Sequence, residues 1–133
     1  MRVAQVLHVA ALLAWSWLLV KSNPFPEVAK ELANWGDWAT FLSAKALHAG
    51  VYATLTAGGI LLYRGRAKQA WIAGLFAHGL ASELAQYFGN EWFQTGRSGC
   101  IRDVVIDWLG ITVAWWPLRW WISRKPTMPE TSP

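Results

Sequence analysis

Residues 46–63 read ALHAGVYATLTAGGILLY, and over these eighteen positions nothing is more polar than His48, Tyr52, Thr54 and Thr56. At 1.5 Å rise per residue a helix of that length extends about 27 Å, close to the thickness of a hydrocarbon layer. A surface helix of a water-soluble bundle carries a recurring polar stripe, and this stretch lacks one. Three further blocks share its character. Residues 3–20 are interrupted by Gln5, His8 and Ser16, residues 69–88 hold His78, Ser82, Glu83 and Gln86, and residues 104–122 hold Asp107 and Arg119. The alternating ten-residue segments of a membrane barrel do not occur. The pattern predicts an all-α fold, a bundle of four transmembrane helices over residues 3–20, 46–63, 69–88 and 104–122. One domain covers residues 1–125, and the Pro- and Thr-containing stretch 126–133 reads as a disordered tail.

Composition removes the competing classes. The 133 residues are 54% hydrophobic and 15% charged, with 11 Trp and one Cys. That apolar content is too high for a disordered chain, and a single thiol cannot close an internal disulfide. Mean hydropathy is only +0.22 because tryptophan and the basic residues lower an average that the four blocks raise. The first block follows Met1 and Arg2 like a signal sequence, but it ends in Lys21-Ser22-Asn23-Pro24 with no small-residue cleavage site, so an uncleaved anchor is expected.

The twelve basic residues sort by topology. Arg2, Arg64, Arg66, Lys68, Arg119, Arg124 and Lys125 fall on one side of the threaded chain, together with Glu130. Lys21, Lys30, Lys45, Arg97 and Arg102 share the other side with the remaining seven acids. The positive-inside rule then puts both termini and the 64–68 turn of this multi-pass chain in the cytoplasm. The net charge of +4 reports this topology and contact with membrane lipids, and no nucleic acid is expected. Trp15, Trp17, Trp35, Trp38 and Trp92 near the outer boundary, and Trp71, Trp115, Trp116, Trp120 and Trp121 toward the inner one, read as interfacial belts. Ala49, Ala53 and Ala57, with Ala73, Ala77, Ala81 and Ala85, predict a tight hairpin between the second and third spans, and Gly110 and Ala114 offer a shorter version on the fourth. Between the first two spans Val28, Leu32 and Trp35 alternate helically with Lys30, Glu31 and Asn34, which predicts a short interfacial helix.

The ionisable residues gather at one depth. Lys45, His48 and Tyr52 are spaced three and four apart and share a helix face, Glu83 and Gln86 close the third span, and Asp103 and Asp107 open the fourth after Arg97 and Arg102. All converge just below the outer surface. Ionisable groups are costly there unless they face water or one another, so they mark a functional site. His48, Glu83 and Asp107 are the candidate general acid and base, with Lys45, Tyr52, Gln86, Arg97 and Asp103 as binding groups. A structural alternative treats the same residues as interhelical staples. His8 and His78 read as packing or capping residues and Cys100 as a bystander. His48, Glu83, Asp103 and Asp107 have the donor types for a hard divalent ion, but no His-Glu-x-x-His spacing occurs and Lys45 and Arg97 would repel a cation, so neither metal nor cofactor is expected.

The order of these residues resembles the VanZ-like membrane proteins. Lys45-x-x-His48-x-x-x-Tyr52 is similar to the opening of that family's second helix, and Glu83-x-x-Gln86, Gly96-Arg97-Ser98, Asp103 and Asp107-x-x-Gly110 follow its later motifs in order. Ala44 stands where the pattern has Asp, and Asp107 where it has Asn. The resemblance implies a bacterial cell-envelope protein whose outward polar pocket, Ser98 included, takes a lipid-linked or cell-wall-precursor group, with a link to glycopeptide (teicoplanin) resistance. An acid–base enzyme acting on a lipid head group, or an assembly subunit, is the alternative.

Overall fold

The computed structural model describes residues 3–20, 26–93 and 99–124. Among these the chain is all helical, in five elements: α1 (Val3–Val20), α2 (Pro26–Asn34), α3 (Asp37–Leu62), α4 (Gly65–Phe93) and α5 (Ile101–Ser123). The first apolar block coincides with α1, and the short helix expected between the first two spans is α2, which packs on α3. The proposed tail at 126–133 lies outside the described residues.

The remaining helices outrun their apolar blocks. Residues 37–45 contain no helix breaker, so α3 begins right after the turn at Gly36, where the chain takes a φ of 102°. At its other end α3 stops at Leu62, and the chain reverses through Tyr63 and Arg64 into α4, which opens on Gly65. Block boundaries mark where polarity changes, and backbone geometry decides where a helix stops. Of the described helices, α1 is the one both long and apolar enough to cross a membrane by length and composition. The longer α3, α4 and α5 dilute their apolar content with the ionisable residues of the candidate site.

Trp15 and Leu19 of α1, Tyr52 and Leu55 of α3, Leu75 of α4 and Ile111 of α5 form the buried apolar core. Tryptophan and histidine side chains tie the helices together. His8 Nε2–H and Trp71 Nε1–H both donate to the Leu55 carbonyl, at 3.0 and 3.1 Å, and Trp108 Nε1–H donates to the Phe76 carbonyl at 3.0 Å. His8 is thus the packing residue its position suggested. Trp17, Trp35, Trp38, Trp92, Trp116, Trp120 and Trp121 are exposed as belt residues would be, whereas Trp15 is buried. Its ring meets the His48 imidazole edge-on, at 5.5 Å between centroids.

The tightest pair is α3 with α5 rather than the expected α3–α4 hairpin. Ala73, Ala77, Ala81 and Ala85 all face outward on α4, whose buried face carries Leu75, Gly79, Ser82, Glu83 and Gln86. The small residue that matters is Gly110: a methyl group there would run into the backbone of Ala49, with Ala49 Cα 2.9 Å away. Gly110→Ala is therefore expected to cost about 1–3 kcal/mol by forcing α3 and α5 apart. Gly74→Ala, where nothing lies within 4 Å, should be neutral or slightly stabilising. Denaturant titration in micelles that found the two variants equal would disprove this account of the seam.

Candidate functional site

Gly110 follows Asp107 by three residues and Ala49 follows His48 by one, so the seam that brings the backbones together also brings these two side chains into register. His48 Nδ1–H donates to Asp107 Oδ1 at 2.9 Å. Asp107 is completely buried and His48 nearly so. One turn earlier on both helices, Lys45 Nζ bonds Asp103 Oδ1 in a pair still partly open to the surroundings. Exposure therefore falls along the seam from the lysine rim to the histidine interior.

Glu83 enters from α4. Its Oε2 accepts the backbone N–H of Cys100, the residue preceding α5, at 2.8 Å. That bond depends on Gly99, which passes so close to α4 that a Cβ would lie 3.0 Å from the Tyr87 nitrogen. Glu83, His48 and Asp107 each place a ligating atom within 4.8 Å of those of the other two, and all three are buried. Gln86, one turn from Glu83, is buried on the same helix face.

The hydrogen bonding of this cluster is incomplete. Glu83 Oε1, Asp107 Oδ2 and Gln86 Nε2 are buried polar atoms that meet no partner among the described residues. A satisfied staple leaves no such atoms, because each orphan costs about 1–3 kcal/mol. Buried atoms of His8, Trp15, Thr40 and Thr56 likewise meet no partner among the described residues, but only in this cluster do the orphans include carboxylate oxygens.

A second polar chain runs beside it. Ser16 O–H donates to the Leu12 carbonyl at 2.8 Å, so its oxygen receives the Nε2–H of His78, also at 2.8 Å. The neutral imidazole then presents Nδ1 as an acceptor, and Tyr52 O–H donates to it at 2.7 Å. In this arrangement the proton of the neutral His78 imidazole sits on Nε2. Sequence reasoning placed Tyr52 in the site but assigned His78 to packing and gave Ser16 no role. The available signal was that each is a lone polar residue inside an apolar block, so each needs a partner from another helix.

Of the residues expected here, the structure brings together His48, Glu83 and Asp107 as one group, Lys45 with Asp103 as another, and Tyr52 with His78 as a third. Arg97 and Ser98 lie outside the described residues. Cys100 supplies a backbone donor, and its thiol is free. Asp103 is occupied by Lys45, which neutralises one of the two cations expected to repel a metal; the other, Arg97, lies outside the described residues. A cleft of about 550 Å³ lies away from the cluster, its lining including Ile60, Phe76, Trp115, Lys68 and Arg119. No protein-family model, no curated protein and no solved structure matches the chain.

Tyr52→Phe removes the donor to His78 while keeping the ring, and its expected cost is about 1–3 kcal/mol. Adding His78→Leu should recover part of that loss by removing the group left unpaired. Purely additive losses in the double-mutant cycle would show that the two side chains are not coupled.

Proposed function

We propose that this chain is a VanZ-like integral membrane protein of the bacterial cell envelope, with α1, α3, α4 and α5 crossing the cytoplasmic membrane and its two ends on the inner side. In this reading the cluster near the outer ends of α3, α4 and α5 binds a lipid-linked or cell-wall-related group. The observation that carries it is the inverted distribution of polarity. Val3, Leu13, Leu61, Val113 and Trp116 are each more than 60% exposed, while His48, Thr56, Ser82, Glu83, Gln86 and Asp107 are buried. Water would drive these helices toward the opposite arrangement, whereas hydrocarbon rewards it. The unpartnered atoms of Glu83, Gln86 and Asp107 then favour a ligand site over a staple.

The exposure gradient suggests how an anionic head group is received. Lys45 stands at the accessible rim, with His48, Glu83 and Asp107 beneath it. A second reading, acid–base catalysis on that head group, draws on one further feature: the His48 imidazole is oriented by a buried carboxylate, as a general base must be.

Topology and site are tested separately. In a Cys100→Ser background, a cysteine replacing Asp37 should label with a membrane-impermeant maleimide in intact cells, and one replacing Arg66 only after permeabilisation. Labelling of both from the same side defeats the four-span arrangement. For the site, expression is expected to raise the teicoplanin concentration that a susceptible host tolerates. Glu83→Gln and Asp107→Asn should return it to the vector level at unchanged membrane abundance. Loss of abundance together with tolerance would instead assign the cluster to folding.

A further inference from the structure

Charge balance in the buried cluster points to a missing partner. Glu83 and Asp107 bring two carboxylates into a site whose only ionisable companion in the group is the His48 imidazole. With both carboxylates ionised, even a protonated imidazole leaves one negative charge uncompensated among the described residues. Lys45 cannot supply the deficit, because Asp103 already engages it. The two orphan carboxylate oxygens, Glu83 Oε1 and Asp107 Oδ2, are acceptors that no donor among the described residues meets. Uncompensated charge at this depth is expensive, and the excess is of the sign a cation relieves.

From this geometry we infer that His48, Glu83 and Asp107 form a binding site for a single divalent metal ion. Each residue contributes one donor atom, and the three atoms already lie within 4.8 Å of one another. Ligation at about 2.0–2.3 Å brings donors to roughly 3–3.5 Å apart, a closure that rotamer adjustment of two carboxylates can supply. One imidazole with oxygen ligands selects a hard or borderline cation such as manganese, zinc or magnesium over a soft one. Gln86 is positioned one turn from Glu83, and rotating its amide would offer an oxygen in place of the unpartnered nitrogen. The charges then close, since two carboxylates and a neutral imidazole balance a dication.

The inference rests on reading the cluster as a ligand site, and it resolves a difficulty in that reading. Two carboxylates repel an anionic head group, whereas a dication held between them attracts one and polarises its phosphoryl oxygens. With Lys45 neutralised by Asp103 at the rim, the metal beneath it would be the positive centre that meets the head group.

The test uses the full chain purified in detergent, stripped with EDTA and titrated with MnCl2 and ZnCl2 by calorimetry, alongside its thermal unfolding. Expected are one equivalent of metal per chain and a higher unfolding temperature with metal than without. Glu83→Gln, Asp107→Asn and His48→Asn should each weaken binding at least tenfold, and Glu31→Gln, which removes an exposed carboxylate on α2, should bind within about threefold of the parent. Absence of saturable binding by the unaltered chain up to about 1 mM overturns the inference, and needs no variant to fold. Binding that survives all three ligand substitutions also overturns it, by placing the ion elsewhere. If the unaltered chain binds no metal while Glu83→Gln still abolishes teicoplanin tolerance at normal abundance, the metal fails and the ligand-site reading stands.

Discussion

The close contact between α3 and α5 governs the rest of this structure. Where Gly110 meets the Ala49 backbone, no side chain intervenes, and the two helices approach until His48 and Asp107 fall within hydrogen-bonding distance. Burying a carboxylate costs several kcal/mol unless compensating bonds form. The seam provides one such bond to Asp107, and the second oxygen meets no donor among the described residues. The close approach and the incomplete compensation are both needed to make the polar centre chemically available.

Around that seam the polar residues form three layers. The Lys45–Asp103 pair is the most accessible, the His48–Glu83–Asp107 group lies beneath it, and the Tyr52–His78–Ser16 chain connects α3 and α4 to α1. Each layer draws on at least two helices, so none exists until the bundle is assembled. Glu83 is fixed from a different direction, by the Cys100 backbone, and that contact depends on Gly99 crossing α4 at close range. Close helix packing at Gly110 and Gly99 thereby positions buried polar groups that no single helix could bring together.

The outward face completes the logic. Leucine, valine and tryptophan occupy the surface of α1, α3, α4 and α5, and the alanine row of α4 lies there too. Small residues permit close packing only if they point at a neighbour, and spacing alone does not give that direction. Ala73, Ala77, Ala81 and Ala85 have the regular interval, yet a single glycine on α5 makes the decisive approach.

Apolar block length and the residue types within the blocks were enough, from the sequence alone, to define an all-helical chain, the extent of α1, the short α2, and a shared region for Lys45, His48, Glu83, Asp103 and Asp107. Those features follow from local periodicity and chain order. Which charges neutralise one another was decided only by tertiary structure: Asp103 takes Lys45, leaving Asp107 to His48, although both aspartates lie on α5 a turn apart. Tertiary structure also recruited Ser16 and His78, buried Trp15 against His48, and extended α3 and α4 past their apolar blocks. The physical reason is that pairing depends on helix rotation and interaxial distance, set here by Gly110 against Ala49, and a one-dimensional spacing rule contains neither.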